Sequence, residues 1–174
     1  MSLYRPDFEP WKPNELQTRG GRTIQRTDLR LDSPLLELNA WLGLARACAH
    51  SARVQAILLA LQRDLQQMLK QLIALDDSPN HHSSFLPMER IGWLDEIRET
   101  LERERSTYEF PDLPGDTVSG AILDLLSIIT QRISSQLHQT EGQIDPTIEG
   151  YLERLPRLLF ALARYEEAQA APQR

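Results

Sequence analysis

Residues 116–139, DTVSGAILDLLSIITQRISSQLHQ, constrain the fold most, because they have the spacing of one long helix. Asp116 or Thr117 can cap it, since a short side-chain oxygen accepts a backbone N–H that the first turn leaves unpaired. Leu113-Pro114-Gly115 supplies a sharp turn just before it. At about 100° per residue, Val118, Ala121, Ile122, Leu125, Leu126, Ile129 and Ile133 fill one broad apolar half. Asp124, Ser127, Gln131, Ser135 and His138 form a polar line on the other half. Arg132 falls among the apolar residues and needs a partner or a subunit boundary, because burying a lone cation is expensive.

The same spacing recurs along the chain. Residues 1–32 are expected to be irregular, with Pro6, Pro10 and Pro13 breaking structure and Gly20-Gly21 forming a joint. A helical body spans 33–170, and 171–174 fray. The first helix is expected to start at Ser33-Pro34, a cap followed by a proline whose missing N–H costs nothing there. It carries a Leu35, Leu38, Leu42, Ala45 stripe. A second runs from about Ser51 to Leu75 and a third from Pro87 to Ser106. The fifth starts at Asp145-Pro146 and contains Pro156, where a kink is expected. Five helices and no credible strand predict an all-α, antiparallel five-helix bundle. Helices this long in a small bundle often bury leftover apolar stripes between subunits, so a homo-oligomer is expected.

Composition excludes several classes. A formal net charge of −6 argues against a nucleic-acid binder. The basic run Arg19, Arg22, Arg26 and Arg30 could still meet an anionic ligand. No apolar run approaches the ~20 residues of a membrane span. One cysteine, Cys48, allows no internal disulfide and suits a reducing compartment, so the cytoplasm is expected. No metal site is expected: His81 and His82 are adjacent in a polar loop, without i,i+4 or CxxC geometry. His50 and His138 stand alone in sequence. Neither a phosphate-binding glycine-lysine loop nor a nucleophile triad is present.

Three segments carry a resemblance: LLELNAWLGLAR (35–46), FPDLPGDTVSGAILDLLSIITQR (110–132) and YLERLPRLLFALARY (151–165). Their order and helical context resemble the PduO-type ATP:corrinoid adenosyltransferases over roughly residues 18–166. The last is the most specific, since the family's ending is similar to YLNRLSDLLFxLAR. The resemblance implies a homotrimer of five-helix bundles that transfers the adenosyl group of ATP to the cobalt of reduced cobalamin, with triphosphate leaving. It implies active sites between adjacent subunits, with magnesium, ATP and cobalamin as the bound groups if that activity is kept.

Residue by residue, the resemblance is uneven. The family's glycine-rich nucleotide loop, similar to TRTGDxGxT, corresponds to Thr18, Arg19, Gly20, Gly21, Arg22 and Thr23, shortened and without its acid. The aspartate opening the family's DELN is Leu36 here. On the long helix, the family's histidine is replaced by Asp124 and its first arginine by Ser127. Its Arg-Arg pair corresponds to Gln131-Arg132, its glutamate to Ser134 and a further arginine to Ser135. In the last helix, Glu153 and Arg157 stand where the family has asparagine and aspartate, and Arg154 is kept. Phe110 lies one position from the phenylalanine that covers the lower corrin face. Arginine forks stabilise a departing triphosphate by bonding two oxygens at once, and one lost donor can cost ~2.7–4 kcal/mol. A diverged member with a structural, regulatory or altered ligand-binding role is therefore expected. The alternative is an active enzyme with a rearranged basic site, in which Arg19, Arg22 or Arg157 substitutes.

Overall fold

The computed structural model describes residues 31–77, 86–104, 114–138 and 145–170. These form five helices: α1 (Asp32–Cys48), α2 (Ala52–Asp77), α3 (Met88–Glu104), α4 (Val118–His138) and α5 (Pro146–Ala170). There is no strand among the described residues, and none of their helices is long and apolar enough to cross a membrane.

The helix starts follow from local chemistry. Thr117, not Asp116, caps α4: its Oγ1 accepts the Gly120 N–H at 2.9 Å. Gly115 precedes it with φ 119°, a conformation that side chains disfavour. Asp145 caps α5, where its Oδ1 accepts the Thr147 N–H at 2.7 Å. At α1 the expected serine cap is not used. The helix begins at Asp32, with Leu31 ahead of it and no side-chain cap. Leu31 is buried, so packing rather than capping sets this end. Pro34 still lies in the first turn, where no N–H is missed. The backbone stays helical through Pro156.

α1 packs on α2 and α4, and α5 packs on α4 and α3 while touching α2. Ion pairs join α2 to α3, one between Arg90 and Asp64 and one between Arg53 and Glu104. Pairings near helix ends fix direction. Asp124 meets Arg164 and His138 meets Glu149, so α4 and α5 run antiparallel. Asp95 meets Arg154, while Ile91 lies beside Gly150, so α3 and α5 run parallel. Leu35, Leu38, Leu42, Leu58, Leu61, Leu65, Leu123, Leu152, Leu155 and Leu159 are fully buried between them. Truncating any one to alanine would cost roughly 2–5 kcal/mol.

The α4 surface is turned partway from its expected orientation. Val118 and Leu125, expected inside, are 65% and 42% exposed, and Ile128 is 64% exposed. The buried face keeps Leu126, Ile129 and Ile133 of the expected half and adds Ser119, Gly120, Leu123, Thr130, Ser134 and Leu137. At Gly120, α5 approaches this face closely. A Cβ at Gly120 would lie 2.8 Å from both Glu167 Oε1 and the capping Thr117 Oγ1, so any side chain there would push these groups aside. Val118, Leu125 and Ile128 form an exposed apolar stripe, with Arg132 also exposed on the helix. Arg132 therefore needs no partner within its own chain. α1 likewise leaves Leu36 and Leu44 exposed.

Candidate functional site

A cleft of about 910 Å³ opens where α5 lies between α3 and α4. From α4 it receives Ser127, Gln131, Ser134, Ser135 and His138. From α5 come Glu153, Arg154, Pro156, Arg157 and Phe160, and from α3 Asp95 and Glu102. The turns of α4 and α5 place these groups at i, i+3 and i+4 spacing, so α4 presents a continuous polar edge and α5 a mixed one closed by Pro156 and Phe160.

Most charges in the cleft are already matched. Arg154 Nε donates to Asp95 Oδ2 at 2.9 Å and its Nη1 donates to the Gly150 carbonyl at 2.9 Å. Glu102 accepts from Arg98 Nη1 at 2.7 Å. Ser135 Oγ donates to the Gln131 carbonyl at 2.9 Å, so this hydroxyl serves its own helix. Arg157 makes no ion pair among the described residues and is exposed. At one end of the cleft, His138 Nδ1 lies 3.0 Å from Glu149 Oε1, and its Nε2 lies 3.2 Å from Glu153 Oε1.

Behind Phe160 is a second polar group, this one buried. Arg164 stacks on the Phe160 ring, 5.2 Å from its centroid. Its Nη2 donates to Asp124 and lies 3.2 Å from Glu167 Oε2. Burial pushes the Asp124 carboxyl upward, and Arg164 only partly offsets this. Glu167 is raised for the same reason, with Arg164 opposing and Asp124 adding repulsion. Two further carboxylates hold helices together. Glu166, fully buried, accepts the N–H groups of His50 and Ser51 at the start of α2, and the Ser119 hydroxyl at 3.0 Å. Asp64 accepts from Arg90 and, at 2.9 Å, from the Tyr151 hydroxyl. Burial and the Asp64 charge push the Tyr151 hydroxyl well above its ordinary value.

The cleft gathers six of the positions singled out in the sequence: Ser127, Gln131, Ser134, Ser135, Glu153 and Arg157. Asp124 does not line it and is tied to Arg164. Leu36 and Arg132 are exposed on α1 and α4 and do not line it either. Thr18, Arg19, Gly20, Gly21, Arg22, Thr23 and Phe110 lie outside the described residues, as do His81 and His82. Asp95, Glu102 and Phe160 were missed, because nothing in a single helix's spacing shows which neighbour it faces. Arg164 was missed too, though an arginine inside the apolar run LLFALAR signals a buried partner.

Three similarities bear on this site. The model of the cobalamin adenosyltransferase family matches residues 18–166. The chain is 26% identical over 155 residues to the corrinoid adenosyltransferase PduO of Salmonella typhimurium. That match takes in 86% of this chain and 46% of the relative, so the chain spans about half the relative's length. Among solved structures, it is similar to a variant of a PduO-type ATP:corrinoid adenosyltransferase from Lactobacillus reuteri, complexed with cobalamin and ATP. The TM-score is 0.68 at 25% identity, covering 80% of this chain and 77% of that one.

Proposed function

Since the chain belongs to the cobalamin adenosyltransferase family, we propose that it is a diverged member, not an efficient adenosyltransferase, whose cleft serves a structural, regulatory or altered ligand-binding role. The observation that carries this reading is the donor set of the cleft. A triphosphate calls for several free cationic forks. The described residues offer serines, a glutamine, three carboxylates, a histidine that faces Glu149 and Glu153, and two arginines, one of which is held by Asp95. That set fits a polyphosphate poorly. Asp124, placed by the resemblance where the family has a histidine, is held by Arg164 and has become part of the packing.

The second reading is an active ATP:cob(I)alamin adenosyltransferase, and Arg157 favours it, being a cation in the cleft without an ion pair among the described residues. Magnesium, ATP and cobalamin would then be its bound groups. A homotrimer belongs to both readings. It is supported by the exposed Val118, Leu125 and Ile128 on α4 and by Leu36 and Leu44 on α1, because apolar stripes of this kind gain from being covered. A cytoplasmic setting belongs to both as well, with neither a nucleic acid nor a membrane as partner.

The test mixes the purified protein with ATP, magnesium and chemically reduced cobalamin, and follows the spectrum for a new cobalt–carbon bond. The expected outcome is no turnover; sustained turnover overturns the proposal and establishes the second reading. Calorimetry with magnesium-ATP separates binding from catalysis. Arg132 stands outside the cleft, so weaker ATP binding by Arg132→Ala would mean that the site extends across a subunit boundary, and an unchanged affinity would show that Arg132 has no part in it.

A further inference from the structure

We propose that His138, Glu149 and Glu153 form a binding site for a divalent transition-metal cation at the end of the cleft. This inference does not rest on adenosyl transfer or its loss.

The site is assembled by the α4–α5 pairing. His138 is the last residue of α4. Glu149 and Glu153 stand on consecutive turns of α5, at i and i+4, where side chains share one face. The Asp145 cap fixes where α5 begins and hence where Glu149 points. The antiparallel packing then sets the imidazole between the two carboxylates.

The geometry calls for a cation. Each ring nitrogen faces a carboxylate oxygen, Nδ1 at 3.0 Å and Nε2 at 3.2 Å. A neutral imidazole has one N–H and one lone pair, so one carboxylate would face a lone pair. A doubly protonated imidazole satisfies both where they stand, whereas a metal ion takes one ring nitrogen and the carboxylate beside the other turns to reach it. A neutral imidazole with two carboxylates carries the charge that a divalent ion cancels. The neighbouring cleft acids do not compete, since Asp95 and Glu102 already have arginine partners.

Distances suit a metal. One donor atom from each residue lies within 4.8 Å of the others. Bonds of about 2.1 Å in a tetrahedral site place donors about 3.4 Å apart. The side chains are 48%, 41% and 45% exposed, so they can turn inward without moving either helix. A mixed imidazole and carboxylate set suits zinc, cobalt or manganese better than magnesium or calcium, which prefer oxygen alone. Three protein donors leave a coordination position open, as catalytic rather than closed structural sites do. Because His138 and Glu153 line the cleft, that position would face it.

The test titrates the chelator-stripped full chain with zinc by calorimetry and with cobalt(II) by visible absorption, which reports coordination directly. One zinc per chain is expected, with visible cobalt bands. His138→Gln, Glu149→Gln and Glu153→Gln should each weaken zinc by at least about tenfold, since even indirect ligand partners cost that much. Helical circular dichroism of these exposed-site variants is expected to be unchanged. Absence of binding by the parent protein overturns the proposal. So does equal binding by the Glu149→Gln/Glu153→Gln double variant, which would place any zinc elsewhere, such as at His81 and His82.

Discussion

The α4–α5 interface carries two polar clusters of the same make-up, a base set between two carboxylates, one near each end. Near the start of α4, Arg164 stands between Asp124 and Glu167, with side chains 6%, 11% and 5% exposed. At its other end, His138 stands between Glu149 and Glu153, all roughly half exposed. Burial explains the different base. A pair of buried acids needs a partner that cannot lose its proton, and arginine is the side chain that meets that demand. In water, a base that exchanges its proton suffices, and a metal ion can replace that proton. The first cluster is packing; the second is available to a ligand.

The strongest way to break this comparison is to remove the buried base. Arg164→Met would leave Asp124 and Glu167 buried without a cation. Breaking a buried pair on one side costs about 3–5 kcal/mol. Urea unfolding at neutral pH, followed by circular dichroism, should show a loss of that size. Adding Asp124→Asn and Glu167→Gln to the same chain should recover most of it, because no orphan charge then remains. A loss below about 1 kcal/mol would mean the cluster is wet and the two ends are alike.

How much of this was legible beforehand differs between fold and site. The five helices follow from leucine and isoleucine at three- and four-residue spacing, and from the caps at Thr117 and Asp145. The rotation of α4 did not follow. Its most apolar half includes Val118 and Leu125, yet these face outward, while Ser119, Gly120, Thr130 and Ser134 are buried where α1 and α5 pack, which spacing within one helix does not reveal. The cleft was half legible. Ser127, Gln131, Ser134, Ser135, Glu153 and Arg157 were singled out by a resemblance, and they do converge. The two clusters were invisible, since each joins α4 to α5 through an antiparallel register that neither helix specifies alone. His138 looked isolated for that reason.

A smaller effect sharpens the buried end. The carboxyls of Asp124 and Glu167 are both raised by burial, more than Arg164 lowers them. The folded chain therefore holds these protons more tightly than the unfolded chain. Between the unfolded and folded pKa values the native state binds more protons, so stability falls as pH rises through that window. The native state is penalised at neutral pH and relieved below the unfolded carboxylate values of about 4. Glu167→Gln removes its share of that penalty. It should be more stable than the parent at neutral pH, and the gain should vanish as pH falls below about 4. A variant less stable at neutral pH would show that the Arg164 attraction outweighs burial.

The smallest effect belongs to the exposed end. In metal-free protein, Glu149→Gln and Glu153→Gln should each change unfolding free energy by no more than about 0.5 kcal/mol, because half-exposed pairs gain little over water. Raising the salt concentration should shrink even that difference, since screening acts on exposed charges first. The same urea titration used for Arg164→Met reads both, so the two ends are compared on one scale. A loss near 2 kcal/mol from either glutamate would mean that another surface covers the trio in solution. The exposed end would then be a second packing cluster, and its carboxylates would not be free to close on a cation.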